Sequence, residues 1–488
     1  MTNTGHWSGA ASSRSEAQVL VVGAGPAGLV AAIALARYGI DVLLVEKRDE
    51  ISSLSRNLVV STRGMELMRA WGLEDAVKAG AAGVEPRAWV TPNLASGIGH
   101  EMPLGYPTAD EAARVSPTRA TWVPQDHHEP ILLGHLRTLP SADVRFRCEL
   151  VNLQHDDAGV EATLMDRWSS ATLTVRAQYA IAADGAHSAT REALGLSLIG
   201  PDDLAEFHRV EFVAPLAEIA GDRRYGLYVI TDPNVAGVFA PRGRGHRWGL
   251  SREWMPGQRR LDEHAEGELV ALIARGAGVA TLDVQIEQVT RFAFAAQVAD
   301  HYRRGRCFLV GDAAHRMTPR GGTGMNTAIQ DAFDLGWKLA WVLQGWSSEA
   351  LLDTYQRERR PVALHNVGRA AEPGGARRDT EDALPWDLNG RIAHHWIRRG
   401  GKTVSTLDLI GIGLTLLAAP GDRRWSDPVT TTACPITVHV LDHATANACG
   451  LASAGALLVR PDAHEISRSA SYDAGWVRRG LAQLSRAA

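Results

Sequence analysis

Lysine is nearly missing from this chain. Lys47, Lys78, Lys338 and Lys402 are its only lysines, although Lys and Arg together number 51 against 55 Asp and Glu. The arginines are scattered among acids without a basic block, and the net charge is −4, so neither nucleic acid nor a membrane surface is an expected partner. Cysteine is scarce too: Cys148, Cys307, Cys434 and Cys449. None stands in a CxxC pair or at zinc-binding spacing from His or Cys, so no metal site and no dithiol redox centre is expected. Long apolar runs are also lacking. The longest, Leu407 to Pro420, is interrupted by Asp408 and two glycines and is too short to span a bilayer. The N-terminus does not follow the basic-then-apolar plan of a signal peptide. These absences predict a cytoplasmic protein with reduced thiols; a monomer or homodimer is expected.

What is present begins with a βαβ pattern. Residues 1–17 are small and polar and are expected to form a flexible arm. Val19 to Val22 is an apolar run suited to a buried parallel strand. Gly23, Gly25 and Gly28 then match G-x-G-x-x-G in a turn that includes Pro26 and Ala27, Leu29 to Tyr38 reads as a helix, and Ile40 to Val45 forms a second strand ending at Glu46, followed by Lys47. The first glycine permits a tight turn, the second lets a diphosphate approach the backbone, and the third lets helix and strand pack closely. The helix N-terminus offers free N–H groups to that diphosphate. Glu46, 18 residues after Gly28, can accept hydrogen bonds from both ribose hydroxyls and would repel a 2′-phosphate. The nucleotide is therefore the adenosine part of FAD or NAD.

Two later motifs select FAD. Gly311-Asp312 follows the apolar strand Arg306 to Val310, where a short acid can accept a hydrogen bond from a ribityl hydroxyl. Next come Pro319, Gly321, Gly322, Gly324, Met325 and Asn326, opening a strongly amphipathic helix to Leu343. Such a loop lets backbone N–H groups approach a flat ring, and the helix N-terminus directs positive dipole at the charge that reduced flavin carries near N1 and C2=O. No second intact fingerprint exists, because Gly243 to Gly249 has the wrong spacing. A pyridine nucleotide would therefore bind only transiently.

With these motifs in hand, the chain resembles the class A flavoprotein aromatic hydroxylases typified by p-hydroxybenzoate hydroxylase, and within them the polyketide and phenol hydroxylases. Asp184-Gly185-Ala186-His187-Ser188-Ala189-Thr190-Arg191, Arg56, Arg63 with Glu66, Pro124-Gln125 and Tyr355 to Pro361 complete the likeness over residues 18–365. The resemblance implies that Arg56 and Gln125 contact FAD, and that Asp184 and Arg191 lie near the face shared by FAD and nicotinamide. It further implies a GR2-type, Rossmann-like α/β FAD-binding domain (18–84, 116–200 and 300–369) and a mixed-sheet substrate domain (85–115 and 201–299). Residues 370–399 are polar and rich in Pro, Gly and Arg, and are expected to be a linker. Residues 400–488 resemble the small thioredoxin-like C-terminal domain of the larger members, without its cysteine pair, and a structural or dimer-supporting role is expected.

The function implied is an NAD(P)H- and O2-consuming monooxygenase that hydroxylates a small phenolic or polyketide-type aromatic through a flavin C4a-hydroperoxide, in secondary metabolism. Baeyer–Villiger insertion, epoxidation or antibiotic-inactivating oxygenation could use the same oxygen chemistry. A non-catalytic flavin protein and an oxygen-independent reductase are further alternatives. No acid–base catalytic residue is forced by the sequence, and His315 reads as a packed loop residue. The substrate wall is expected from 205–255 and 285–300, with Tyr225, Tyr228, Phe239, His246, Trp248 and Arg252 as candidates.

Overall fold

A computed structural model describes residues 14–53, 56–426 and 433–486. Residues 1–13 of the expected arm lie outside these. Glu16 and Ala17 do not belong to an arm, because Glu16–Val22 is already strand and Arg14 pairs with Asp41.

The first sheet has a parallel centre. Its strands run in the order Arg303–Arg304, Cys307–Leu309, Thr172–Ala182, Glu16–Val22, Val42–Val45 and Ala142–Arg145, and Cys148–His155 with Val160–Asp166 extends it as an antiparallel hairpin off Thr172–Ala182. Val19 to Val22 and Val42 to Val45 are buried throughout, as their unbroken apolar runs require. Register aligns the carboxyl ends of four strands: Val22 lies opposite Val45 and Ala182, and Ala182 opposite Leu309. Ligands of open parallel sheets bind beyond such ends. Helix Pro26–Ala36 packs against helix Gly324–Leu343 at very short range, since a Cβ on Gly336 would stand 2.5 Å from Ala34 Cβ.

The second sheet is mixed and seven-stranded. Its order is Gln285–Phe294, Ala205–Val213, Arg247–Trp254, Gly237–Pro241, Tyr225–Ile230, Glu85–Thr91 and His100–Pro103. Helix Glu266–Ala277 covers one face, where Val210, Phe212, Tyr228, Phe239, Trp248 and Leu250 form a buried cluster with Leu269, Ile273 and Ala277.

In the tail, strands run in the order Ile436–Val440, Leu414–Ala418, Ala456–Val459 and Glu465–Ser469, the first pair parallel and the others antiparallel, with helix Trp476–Arg486 at the end. That order is consistent with a thioredoxin-like unit. Its core is continuous with the FAD-binding part, for Trp337 and Trp341 of the long helix pack with Leu414, Leu416, Trp425, Leu458 and Trp476. Beside them Lys338 bridges Asp334 (2.7 Å) and Glu358 (3.0 Å), and Arg460 grips Glu358 and Asp462.

The expected linker is a correction. Residues 370–399 include the end of helix Asp353–Ala371, helix Thr380–Leu388 and strand Trp396–Arg399, with Arg378 and Ala383 buried. Composition suggested loop because polar residues predominate, but several of these side chains bond the backbone of other elements.

Candidate active site

Gly23, Glu46, Asp184 and Gly311-Asp312 emerge from the four aligned strand ends. The glycine turn is sterically specified. Gly23 has φ +105°, and a Cβ on Gly28 would fall 1.8 Å from the Gly23 carbonyl oxygen. Among the described residues, a Cβ on Gly25 would meet nothing within 4 Å, so that glycine is not packed against them. Gly25 caps helix Pro26–Ala36 without any side-chain bond, which leaves the first N–H groups directed outward. Such a cradle fits a diphosphate. Glu46 fastens the turn to the second strand: its carboxylate accepts from the N–H of Ala24 and of Arg48, both at 2.9 Å. Lys47 and Arg56 are exposed beside it.

Gln125 opens helix Gln125–Leu136 and is buried, its amide N–H donating to Glu129 Oε1 at 2.6 Å. Burial raises the Glu129 carboxyl to about 7, against the opposing effects of the Gln125 hydrogen bond and the positive charge of Arg56. Asp184 is engaged in its own loop, accepting from Ser188 and from the Thr190 N–H (3.0 Å) and hydroxyl (2.8 Å). Arg191 reaches the carbonyl of Ala313 at 3.2 Å and so ties that loop to the residue after Asp312, whose own side chain is exposed.

The second glycine loop is held from behind. Gly321 and Gly322 have φ of +82° and +64°. Tyr106 donates its hydroxyl proton to both carbonyls at 3.1 Å, and Arg378 bonds Gly321 O and Leu104 O. Burial pushes the Tyr106 phenol up to about 12, so it stays a donor. Asn326 is not a free cofactor ligand: its side chain accepts from Ser61 N–H (2.8 Å) and donates to Val59 O (3.1 Å) and Gly322 O (2.8 Å). Met325 is buried and Pro319 exposed. Thr323 precedes helix Gly324–Leu343 without capping it, so N–H groups at Gly324 and beyond face the cleft as they do at Gly25. Two open helix ends of this kind suit the two ends of FAD. His315 is wholly buried with Nε2 2.7 Å from Asp331, whose other oxygen accepts from Arg359 Nε at 2.7 Å. Burial raises the Asp331 pKa, but Arg359 and His315 outweigh it and hold the group below the usual range.

The aromatic candidates do not gather at this cleft. Tyr228, Phe239 and Trp248 project to the face covered by helix Glu266–Ala277, and a Cβ on Gly276 would touch the Phe239 ring at 2.7 Å. Tyr225 stacks on Trp89 and donates to Glu101 at 2.6 Å. His246 is exposed, and Arg252 donates to Ala236 O. Strand alternation explains the mismatch: their neighbours point the other way. There Arg242 meets Glu211 at 2.6 Å, Gln288 donates to Glu211 at 2.7 Å, and Arg209 donates to Ser251 at 3.1 Å. Both arginine stems lie over Gly249, each 3.7 Å from where its Cβ would be. Phe207 stacks on Phe294 at 4.1 Å. This face meets the cofactor-binding part: Arg320 of the flavin loop lies over Phe294 at 5.1 Å, and Arg247 pairs with Asp126 at 2.9 Å. Burial and the adjacent Arg242 lower Arg209 to about 10, still cationic at neutral pH. Alternating charge along a strand reads as a solvated face, so Arg209, Glu211 and Arg242 gave no sequence signal. Glu129, Tyr106 and Arg378 gave none either.

Residues 16–370 match the family model of the FAD binding domain, and residues 388–485 that of the aromatic-ring hydroxylase C-terminal region. The chain belongs to the FAD-dependent aromatic-ring hydroxylases. This hydroxylase is 34% identical to the tetracenomycin B2 monooxygenase-dioxygenase of Streptomyces olivaceus, over 93% of its own length and 96% of that protein's. Among solved structures it resembles an aklavinone-11 hydroxylase held with FAD and aklavinone (TM-score 0.85, 30% identity, covering 96% and 98% of the two chains). It also resembles the flavin-dependent monooxygenase PieE held with FAD and substrate (TM-score 0.86, 26% identity, 96% and 99%). FAD is its cofactor, NAD(P)H its reductant and O2 its oxidant, as in the family. No helix among the described residues is long and apolar enough to cross a membrane.

Proposed function

We propose that this monooxygenase hydroxylates a polycyclic phenol of polyketide type in the cytoplasm, and that the ring lies against the sheet face carrying Arg209, Glu211 and Arg242. The observation carrying this reading is that a buried guanidinium group, Arg242, and a half-buried one, Arg209, flank one carboxylate beside a phenylalanine stack, on the side that meets the flavin loop. Bound FAD, reduced by NAD(P)H, supplies the oxygen-activating chemistry. The chain's own residues bind and polarise the ring. The positive charge of Arg209 favours a phenolate over a phenol, which enriches the ring carbons ortho and para to it. Phe207, Phe292 and Phe294 exclude water from the face on which the ring would rest. The helix-covered aromatics support the sheet and do not touch substrate.

The test is product mass spectrometry with tetracyclic polyketide phenols, with Arg209→Met beside the wild type. The reading expects a product heavier by one oxygen, and in Arg209→Met a raised KM and a pH optimum shifted toward that of the free phenol's ionisation. Unchanged KM and pH profile in Arg209→Met would remove the assignment of this face.

A further inference from the structure

Glu129 belongs to none of the motifs above, yet it sits among the groups that would surround the FAD diphosphate. Its side chain is 1% exposed, Oε1 accepts from the Gln125 amide at 2.6 Å, and Oε2 has no hydrogen-bond partner among the described residues. The charged groups that act on it are Arg56, Arg48 and Glu46, all on the segment between the second strand and Val59. On its own helix, Asp126 is turned to Arg247, and His128 packs against Met68. No cation pairs with Glu129 directly among the described residues. A buried carboxylate with a bare oxygen is costly, and a diphosphate brought to the neighbouring helix N-terminus would make it costlier.

We propose that Glu129 is a positioning residue of the FAD site that works in its protonated form: Oε2 bears a proton, Oε1 fixes the Gln125 amide, and FAD binding is coupled to uptake of that proton. The neutral acid holds Gln125 in place and adds no negative charge next to the diphosphate. The balance is simple: one proton moves from solvent to Glu129, and no other bond changes. The near-neutral value to which burial brings this carboxyl makes the coupling visible at ordinary pH.

The experiment titrates deflavinated full-length protein with FAD, following flavin fluorescence between about pH 6 and pH 9, a window in which FAD itself has no titrating group. Calorimetry in two buffers of different ionisation enthalpy counts protons in parallel. For the wild type, Kd should rise by up to about tenfold per pH unit above the Glu129 midpoint, with uptake approaching about one proton per FAD at the upper end. Glu129→Gln, which keeps the hydrogen-bonding shape without the charge, should bind with a pH-independent Kd near the low-pH wild-type value. A wild-type Kd that does not change with pH, or a pH slope that persists in Glu129→Gln, would overturn the proposal. Should Glu129→Gln not fold, the wild-type proton count decides alone: no uptake refutes it.

Discussion

The two halves of the active site are built from different materials. The dinucleotide cleft is made of backbone: two glycine turns, two uncapped helix ends and four aligned strand ends. The opposite wall is made of side chains displayed on one face of a sheet. Backbone sites constrain residue type severely, because any Cβ added at Gly28 would fall 1.8 Å from the Gly23 carbonyl oxygen. Side-chain walls constrain it weakly, because either face of a strand can carry arginine or phenylalanine. The first kind of site tolerates almost no change, and the second is where specificity can vary.

The largest effect expected from breaking this contrast is at Gly28. Gly28→Val should yield colourless protein, or none that folds, and absorbance near the flavin bands of purified protein checks it. Next comes Glu211→Ala, which leaves Arg242 buried without its carboxylate. It should cost about 3–5 kcal/mol of stability in denaturant unfolding, whereas Gly25→Ala, with open space around its Cβ, should keep stability while weakening FAD binding. Asp331→Asn should destabilise by a similar amount to Glu211→Ala. Because Asp331 is held below its ordinary pKa, its contribution in the wild type is present at neutral pH and lost as pH falls through that lowered value; Asp331→Asn should flatten that acid limb. Phe239→Ala should cost about 3–5 kcal/mol, yet leave KM for the aromatic unchanged once folded, since Phe239 faces the helix. His246→Ala, exposed on its loop, should change stability by less than about 0.5 kcal/mol and KM not at all.

The same contrast explains what could be read in advance. The turn at Gly23, Gly25 and Gly28 and the strand ends before Glu46 and Gly311-Asp312 were legible, because steric rules tie such glycines to one local geometry. The position of the long helix ending at Leu343 followed from periodicity. The substrate wall was not legible. Tyr228, Phe239 and Trp248 look like a binding pocket in sequence, but aromatic density is equally what a sheet needs to bury against a helix. Arg209 and Glu211 look like a wetted face, and only the arrangement of the second sheet against the flavin loop reveals Glu211 as buried and Arg209 as half-buried. Segment 370–399 misled for a related reason: Arg378 is polar by type and buried by position, because its partners are carbonyls at Leu104 and Gly321, far away in sequence.

The central claim, that FAD held across the strand ends oxygenates an aromatic ring, is tested most directly with isotopically labelled O2. Holoenzyme, NAD(P)H and a tetracyclic polyketide phenol should give a product carrying one labelled oxygen on a ring carbon. Flavin reduction that proceeds normally while all labelled oxygen ends as peroxide or water, with every such phenol offered, would contradict it.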